Sequence, residues 1–228
     1  FHKFVFVSNW QMQAYISEYQ LPWDKCIVIQ NAIDPIEVQQ KPDPKEKIRF
    51  MYHSNPRKGL NVVVSVFEEL CKKFDNIHLD VYSSFNLYGW NEMDKHFQPV
   101  WDAIDAHPQM TNHGFKSNDE VRKALADTHI WLHPATFAET SCLCLMEAMS
   151  AGCICVHSNY GAMFETGANW TQMYPFVPDL NQHAKTMYQY LQGMIPEVEG
   201  LMKKTHTQKS YADIFYNWDT RKVEWQAL

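Results

Sequence analysis

Two acidic residues, Glu139 and Glu147, flank a segment that reads as the start of a helix. Thr140 or Ser141 is placed to cap that helix, whose first amides would then point into the same cleft. Glu147 follows roughly 9 Å further along the helix axis. A carboxylate accepts two hydrogen bonds at once, which suits a vicinal diol. The spacing therefore suits a ligand with a diphosphate over the helix start and a ribose farther back.

Glu147 is expected to be buried, because the residues beside it are apolar: Leu145, Met146, Ala148 and Met149. A buried carboxylate costs several kcal/mol unless a partner satisfies it. A bound ligand is one such partner. The alternatives are that Glu147 faces solvent or pairs with a basic residue.

A basic turn is the second candidate for chemistry. The residues SNPRKGL at 54–60 follow a predicted strand and lead into a predicted helix. They place Arg57 and Lys58 near the positive end of that helix, where a diphosphate would bind. The alternative is a solvated turn with two exposed cations.

The sequence lacks the motifs of several common phosphate-binding and cofactor-binding sites. The chain has 8 glycines, with no G-x-G-x-x-G and no G-x-x-x-x-G-K-[ST] pattern, which argues against a nicotinamide site and a P-loop. Side-chain cations and a helix N-terminus would have to bind any phosphate. No D-x-D element occurs, so we expect no cofactor, no metal ligands and no obligatory divalent cation.

Composition narrows the class of protein. Among 228 residues, 20% are charged and 46% are hydrophobic, which is ordinary globular usage. The net charge of −6 argues against general nucleic-acid binding, which needs a basic face. No apolar run is long enough to predict a membrane span. The chain opens with an apolar run at 1–7 that reads as a strand, so we expect a fragment of a longer protein. We expect a cytoplasmic location, with peripheral association with a membrane as the alternative.

The six cysteines are expected to be buried thiols in a reducing compartment rather than a zinc site. Cys142 and Cys144 are predicted to lie on a helix and to point to different sides. Cys153 and Cys155 are predicted to share one face of a strand, but no C-x-x-C pair accompanies them.

Short apolar segments alternate with helical ones along most of the chain. The predicted strands are 3–8, 26–30, 48–53, 77–83, 111–114, 130–134, 153–157 and 174–177. The predicted helices are 11–19, 60–74, 93–106, 118–127, 141–151 and 181–193. This alternation predicts an α/β fold with a doubly wound parallel sheet, whose ligands bind beyond the carboxyl ends of the strands.

We divide the chain at the proline-rich segment PDP of 42–44. Residues 1–44 would form an opening strand, helix and connector, and residues 45–228 the domain proper. After Pro196 the sequence predicts helices that place Trp218 and Trp225 on one face. These two side chains would either cap the core or dock on a partner domain.

The segment ETSCLCLMEAMSAG at 139–152 resembles the E-x7-E signature of the retaining GT-B glycosyltransferases of family 4. Further similar segments occur in the same order: VSNWQ at 7–11, VIQNAID at 28–34, RKGL at 57–60 and NWD at 217–219. The resemblance covers nearly the whole chain and corresponds to the C-terminal, donor-binding half of such an enzyme. It implies a Rossmann-like fold and sugar transfer from a nucleoside diphosphate sugar to a glycan, lipid or protein acceptor.

The resemblance also implies residue roles. Lys58, with Arg57, would stabilise the diphosphate leaving group, and Glu139 would contact the transferred sugar. Glu147 would bind the ribose hydroxyls. Backbone amides would bind the distal phosphate, and the loop after the fifth strand would line the base pocket. The donor-binding residues implied are Glu147, Thr140, Ser141, Cys142, Leu143, Gly114, Phe115, Lys116, His53 and Ser54.

One departure from the family pattern concerns His53. Many members have an arginine at this position, on the phosphates, and we expect Arg57 to replace it. A histidine at a strand end is commonly a structural hydrogen-bonding residue, and we interpret His53 and His133 in this way. Acid–base catalysis by either is the alternative.

The function that follows is a glycosyltransferase whose acceptor domain is absent from this chain, so that this part alone would bind nucleotide weakly and turn over little. One alternative is a nucleotide-sugar epimerase or a phosphorylase on the same architecture. Another is a non-catalytic α/β interaction module, which would have no nucleotide affinity and would leave Glu147 solvated or salt-bridged.

Overall fold

The computed structural model of the protein describes residues 2–228, and Phe1 of the opening apolar run lies outside them. Strands β1 (Phe4–Phe6) and β2 (Cys26–Val28) form a small parallel pair joined by helix α1 (Asn9–Tyr19). The Ser8 hydroxyl caps α1 by accepting a hydrogen bond from the amide of Gln11. This opening unit is separate from the main sheet.

The main sheet contains six parallel strands. They are β3 (Ile48–His53), β4 (Ile77–Tyr82), β5 (Met110–Asn112), β6 (Ile130–His133), β7 (Ile154–Ser158) and β8 (Gln172–Tyr174). Their order is β5-β4-β3-β6-β7-β8, so the chain fills one half of the sheet and then the other. The predicted doubly wound parallel sheet is confirmed.

Helices connect the strands and cover both faces of the sheet. They are α2 (Leu60–Cys71), α3 (Gln98–Ala106), α4 (Asn118–Asp127), α5 (Leu143–Ser150), α6 (Met163–Gly167), α7 (Leu180–Met194), α8 (Val198–Met202), α9 (Thr205–Phe215) and α10 (Trp218–Gln226). β6 and β7 are buried throughout, as expected for strands covered on both sides. One core cluster includes residues of α2 and α7, and the other includes residues of α5 and α9.

The elements differ from the prediction mainly at their ends. The predicted helix over 93–106 divides into a 3-10 segment, 91–97, and α3, because Pro99 lacks the amide that a continuous helix would use. β5 ends at Asn112, since Gly114 has a left-handed φ of 62° that no strand allows. Cys153 precedes β7 rather than lying on it, but it packs in the same core cluster as Cys155.

The segment between the two sheets packs on the larger one well before residue 44. Ile33 and Ile36 are buried in the core cluster with α5 and α9. The amide of Ile33 donates to the carbonyl of Tyr216, and the amide of Ile36 donates to the Ser150 hydroxyl. The position of the linker is therefore fixed by the main domain.

At the other end of the chain, Trp218 and Trp225 are both exposed on α10, so the first of their two alternatives, capping the core, does not hold. Among residues 2–228, every helix is too short or too polar to cross a lipid bilayer.

Candidate functional site

The central strands of the sheet place the candidate site. β3 and β6 lie side by side, with Phe50 paired to Ile130, and they end at His53 and His133. The strand order reverses between these two strands, which opens a crevice beyond their carboxyl ends. Loops that follow β3 and β6 therefore meet at one place.

The basic turn follows β3 and lies against the end of β6. Asn55 caps the 3-10 turn Pro56–Lys58 by accepting a hydrogen bond from the amide of Arg57 at 2.9 Å. Gly59 has a φ of 110°, and a Cβ atom there would lie 2.5 Å from the ring of Pro134. Only glycine combines this conformation with so close an approach. The turn is thus fixed beside the loop that carries Glu139.

Lys58, which is half-buried, forms an ion pair with the buried Glu139. The Lys58 Nζ atom lies 2.8 and 2.9 Å from the two carboxylate oxygens of Glu139. His133 lies on the other side, with its Nε2 atom 3.1 Å from Oε1 of Glu139. Because a carboxylate only accepts, His133 donates through Nε2, as expected for a structural hydrogen-bonding residue.

Burial alone would raise the pKa of Glu139. The hydrogen bond from His133 and the ion pair with Lys58 outweigh burial and hold this pKa below its usual value. The same ion pair raises the pKa of Lys58, against the opposing effect of burial. Both groups are therefore charged at neutral pH.

The backbone of Glu139 is held as firmly as its side chain. Residue 139 forms a parallel bridge with Gly161, and its carbonyl accepts a 2.7 Å hydrogen bond from the amide of Ala162. Gly161 has a φ of 65°, and a Cβ atom there would lie 2.5 Å from the Glu139 carbonyl oxygen. The bridge after β7 therefore fixes the position of the first acid.

Helix α5 begins two residues later than predicted. Its N-cap is Cys142, not Thr140 or Ser141, and no side chain accepts a hydrogen bond from the first-turn amides. The Ser141 hydroxyl instead accepts from Asn31 Nδ2 at 3.0 Å, so it is directed to the linker. The prediction that Cys142 lies on the helix with Cys144 is therefore wrong, because Cys142 is the N-cap residue. The uncapped first turn of α5 is suited to bind an anion.

Glu147 is the fifth residue of α5, and its carboxylate lies inside a cavity. Its Oε1 atom accepts from Arg122 Nη1 at 3.2 Å and from Asn118 Nδ2 at 3.3 Å. Its Oε2 atom faces His53 Nε2 at 3.7 Å, beyond normal hydrogen-bond distance. Burial would raise the pKa of Glu147, but these three neighbours outweigh it and lower the pKa.

The proton of His53 is placed by its neighbour on β6. The indole N–H of Trp131 lies 2.9 Å from His53 Nδ1 and can only donate, so Nδ1 accepts and the ring proton is on Nε2. His53 therefore presents an N–H group to the second acid.

The cavity that contains Glu147 has a volume of about 560 Å³. Among the residues predicted to bind a donor, those that line it are His53, Ser54, Gly114, Phe115, Lys116, Leu143 and Glu147. Lys58 and Glu139 lie outside this lining, at the neighbouring strand ends. The loop after β5 is shaped by Gly114, whose amide donates to Asn112 Oδ1 at 3.0 Å.

Arg57 does not join Lys58 beside Glu139. Its guanidinium lies over the ring of Phe85, 5.5 Å from the ring centre, and it does not line the cavity. We expected Arg57 and Lys58 to act together on one diphosphate. Of these two residues, Lys58 is the one that lies beside Glu139.

Several cavity residues escaped the sequence analysis, most importantly Arg122 and Asn118. Both lie on α4, four residues apart and therefore on one helix face. The helix start was visible in the sequence, since Ser117 and Glu120 form a capping box there. The position of the helix start predicts that Asn118 and Arg122 share one face of α4. It does not predict that this face packs against α5.

His133, Glu139 and Cys142 are buried together, with one ligand atom of each within 4.8 Å of the others. Imidazole, carboxylate and thiol together are a donor set that suits zinc. The carboxylate of this cluster is already in contact with the ammonium group of Lys58 through both oxygens.

Solved structures share this arrangement of sheet and crevice. The glycosyltransferase of Rickettsia africae ESF-5 matches 97% of this chain with a TM-score of 0.78 at 15% identity. Alr3699/HepE of Anabaena, in complex with UDP and glucose, matches 99% with a TM-score of 0.77 at 15% identity. This chain spans 61% and 62% of those two chains. The fold is the Rossmann-like unit of GT-B glycosyltransferases.

The family follows from the sequence. Residues 33–187 match the family model for glycosyl transferases group 1, and the chain belongs to this family. One subunit of the human phosphatidylinositol N-acetylglucosaminyltransferase is 25% identical over 203 residues, which is 84% of this chain and 38% of that protein. The chain therefore spans little more than a third of this curated relative.

Proposed function

We propose that this chain is the donor-binding half of a retaining glycosyltransferase. It would hold a nucleoside diphosphate sugar for transfer to an acceptor bound elsewhere in the protein. The observation that carries the proposal is the Lys58–Glu139 ion pair, which lies at the strand ends beside the uncapped start of α5. Group 1 family membership supports sugar transfer, and the Anabaena structure with UDP and glucose is a precedent for the ligand class.

Lys58 and the amides of residues 140–143 would stabilise the leaving diphosphate. Negative charge increases on the β-phosphate as the bond to the anomeric carbon breaks, so fixed positive groups there lower the barrier. The Lys58 ammonium is already held at this site by Glu139. Arg57 would contribute less, because Phe85 holds its guanidinium.

Glu139 would contact the transferred sugar near the reacting carbon. Oε1 accepts from both Lys58 and His133, whereas Oε2 accepts from Lys58 alone and keeps a lone pair for a sugar hydroxyl. The diphosphate is a competing anion for Lys58 and would draw the ammonium away from Glu139. Donor binding would thus increase the capacity of the first acid to accept from the sugar.

Glu147 would accept hydrogen bonds from the ribose diol inside the cavity, and the loop Gly114–Lys116 would line the base pocket. A non-catalytic interaction module remains the competing function, because it predicts a salt-bridged Glu147 and Arg122 provides that bridge. The module predicts no affinity for nucleotides, which separates the two functions.

Calorimetric titration with UDP, GDP and ADP tests donor binding. At least one nucleotide should bind, and Lys58→Ala should weaken binding by about tenfold or more, since it removes a charge-assisted contact. Lys72→Ala is the matched control, because Lys72 is an exposed cation at the C-cap of α2, paired with Glu69. Absence of binding by all three nucleotides would contradict the proposal, as would equal binding by Lys58→Ala.

The stereochemistry and metal dependence of transfer are measured with the full-length protein. The anomeric configuration of the product, followed by NMR, should match that of the donor, and excess EDTA should leave the rate unchanged. An inverted product would exclude the retaining mechanism. Release of free sugar without an acceptor would favour the epimerase.

A further inference from the structure

Arg122 joins three parts of the molecule that are distant in sequence. Its Nη1 atom donates to Glu147 Oε1 at 3.2 Å. Its Nη2 atom donates to the carbonyls of Asp34 and Pro35 at 2.7 and 3.1 Å. One guanidinium on α4 therefore connects the second acid on α5 to the linker that follows the opening unit.

The contacts of Arg122 leave one side of the Glu147 carboxylate available. Arg122 and Asn118 both donate to Oε1, whereas Oε2 is approached among residues 2–228 only by His53, at 3.7 Å. The pairing fixes the carboxylate plane through one oxygen and directs the other into the cavity. A ribose diol could therefore bind without breaking the ion pair.

The linker provides a fixed point for this contact. On either side of residues 34–35, Ile33 and Ile36 are buried and bonded to the main domain. The two carbonyls that accept from Arg122 are consequently held between anchored residues. A guanidinium that bonds to them has a fixed direction, and so does the carboxylate that it meets.

We propose that Arg122 is a positioning residue for ribose recognition: it aligns Glu147 with the ribose diol and takes its own alignment from the linker carbonyls. The inference rests on the proposed function, since it assumes a nucleotide in the cavity. Arg122 would contact no phosphate, and it is not needed for the Lys58–Glu139 pair.

The geometry requires arginine rather than any cation. A guanidinium presents several N–H groups in a rigid plane, so it can bond to Glu147 and to the linker at the same time. A lysine ammonium is a compact point charge on a flexible chain and would satisfy one of the two partners. Lysine at position 122 should therefore preserve the charge but lose part of the alignment.

The experiment compares a nucleotide with its 2′,3′-dideoxy form in the full-length protein. UDP, GDP and ADP are each paired with the matching dideoxynucleotide, and dissociation constants are measured by calorimetry. The wild-type protein should favour the ribose form by about tenfold or more. Arg122→Gln should reduce this preference to about threefold or less and leave the dideoxy affinity within about twofold. Arg122→Lys should give an intermediate preference.

Two controls test whether the effect of Arg122→Gln comes from the alignment of Glu147 and not from the loss of a positive charge on α4 or from a general effect on the fold. Lys123→Gln removes one exposed positive charge from the same helix and should leave the preference unchanged. In a Glu147→Ala background, Arg122→Gln should cause no further loss of preference, because the group that it positions has been removed.

Each result has a defined meaning. An unchanged preference in Arg122→Gln, or an equal loss of affinity for both forms of the nucleotide, overturns the role of Arg122 but leaves the proposed function intact. A wild-type protein that binds nucleotides without preference for ribose also overturns it. Failure of the wild-type protein to bind any nucleotide overturns both the role and the proposed function.

Discussion

Glu139 and Glu147 are both buried acids at one cleft, but the protein holds them in different ways. Glu139 is fixed by its backbone, through the bridge to Gly161, and both of its oxygens face Lys58. Glu147 is fixed by side chains, through Arg122 and Asn118, and one of its oxygens remains directed into the cavity. A bound diphosphate would therefore compete for the partner of the first acid, whereas the second acid can bind a ligand and keep its partner.

Loss of Lys58 should give the largest effect. In the full-length protein, Lys58→Ala should lower turnover by about 10² to 10³-fold, because a group that stabilises developing charge is removed. It should also lower the free energy of unfolding by about 1–3 kcal/mol, since Glu139 is left buried without its cation and keeps only the hydrogen bond from His133. Steady-state kinetics and chemical denaturation measure these two effects.

A double variant separates the two effects. Glu139→Gln in the Lys58→Ala protein removes the unpaired charge, so stability should recover while turnover stays low. If turnover and stability both recovered, or if neither did, Lys58 would not have separate roles in catalysis and in neutralising the buried Glu139.

Substitution of Gly161 should come next. Gly161→Ala forces a Cβ atom to within 2.5 Å of the Glu139 carbonyl at a φ of 65°, and it should destabilise the protein by about 3 kcal/mol. Gly89→Ala is the matched control, because Gly89 has a φ of 71° with open space around it; about 1–2 kcal/mol is expected there. Thermal denaturation compares the two. Similar losses would mean that backbone conformation alone, and not the bridge, accounts for the cost.

The free energy of unfolding should depend on the ionisation of Glu139 and Glu147 at acid pH. Their folded-state pKa values lie below the usual value of 4.5, so their stabilising contribution is present above that pH and is lost as the pH falls through the lowered values. Between pH 6.5 and 4, the loss should instead come from buried histidines: burial lowers the pKa of His157 to about 4, and it also lowers the pKa values of His129 and His183. Denaturation curves of Glu139→Gln and Glu147→Gln should each be flatter than wild type below pH 4.5. A curve that remains steep in both variants would exclude these carboxylates as the source.

Arg57 should give the smallest effect. Because its guanidinium rests on Phe85 rather than beside Glu139, Arg57→Ala should weaken nucleotide binding by about threefold or less. A loss as large as that of Lys58→Ala would show that Arg57 leaves Phe85 when the ligand binds, and would return it to the phosphate site.

Local signals in the sequence predicted most of the fold. The strands and helices of the main sheet are set by apolar runs and by helical periodicity, and both are properties of neighbouring residues. The meeting of Lys58 with Glu139 also followed, because parallel strands bring their carboxyl ends to one edge.

The partners of Glu147 could not be predicted in the same way. Arg122 reaches Glu147 because α4 packs beside α5, and the sequence of either helix contains no record of that packing. The cap of α5 was misplaced because Thr140 and Ser141 are typical capping residues, whereas the linker residue Asn31 engages Ser141. Arg57 was misplaced because Phe85, which holds it, lies in a different loop. In each case a contact between distant segments overrode a local preference.

At the uncapped start of α5, a substitution that makes the protein more stable to heat would weaken donor binding. Cys142→Ser changes one atom and adds an acceptor at the N-cap, a class of substitution that commonly gains about 1 kcal/mol. The new hydroxyl would accept from the amide of residue 144 or 145 in the first turn of α5, and its oxygen would lie next to the amides of residues 140–143 that we assign to the phosphate. An engineer who ranked variants by melting temperature alone would therefore choose a protein with higher thermal stability and lower affinity for its donor.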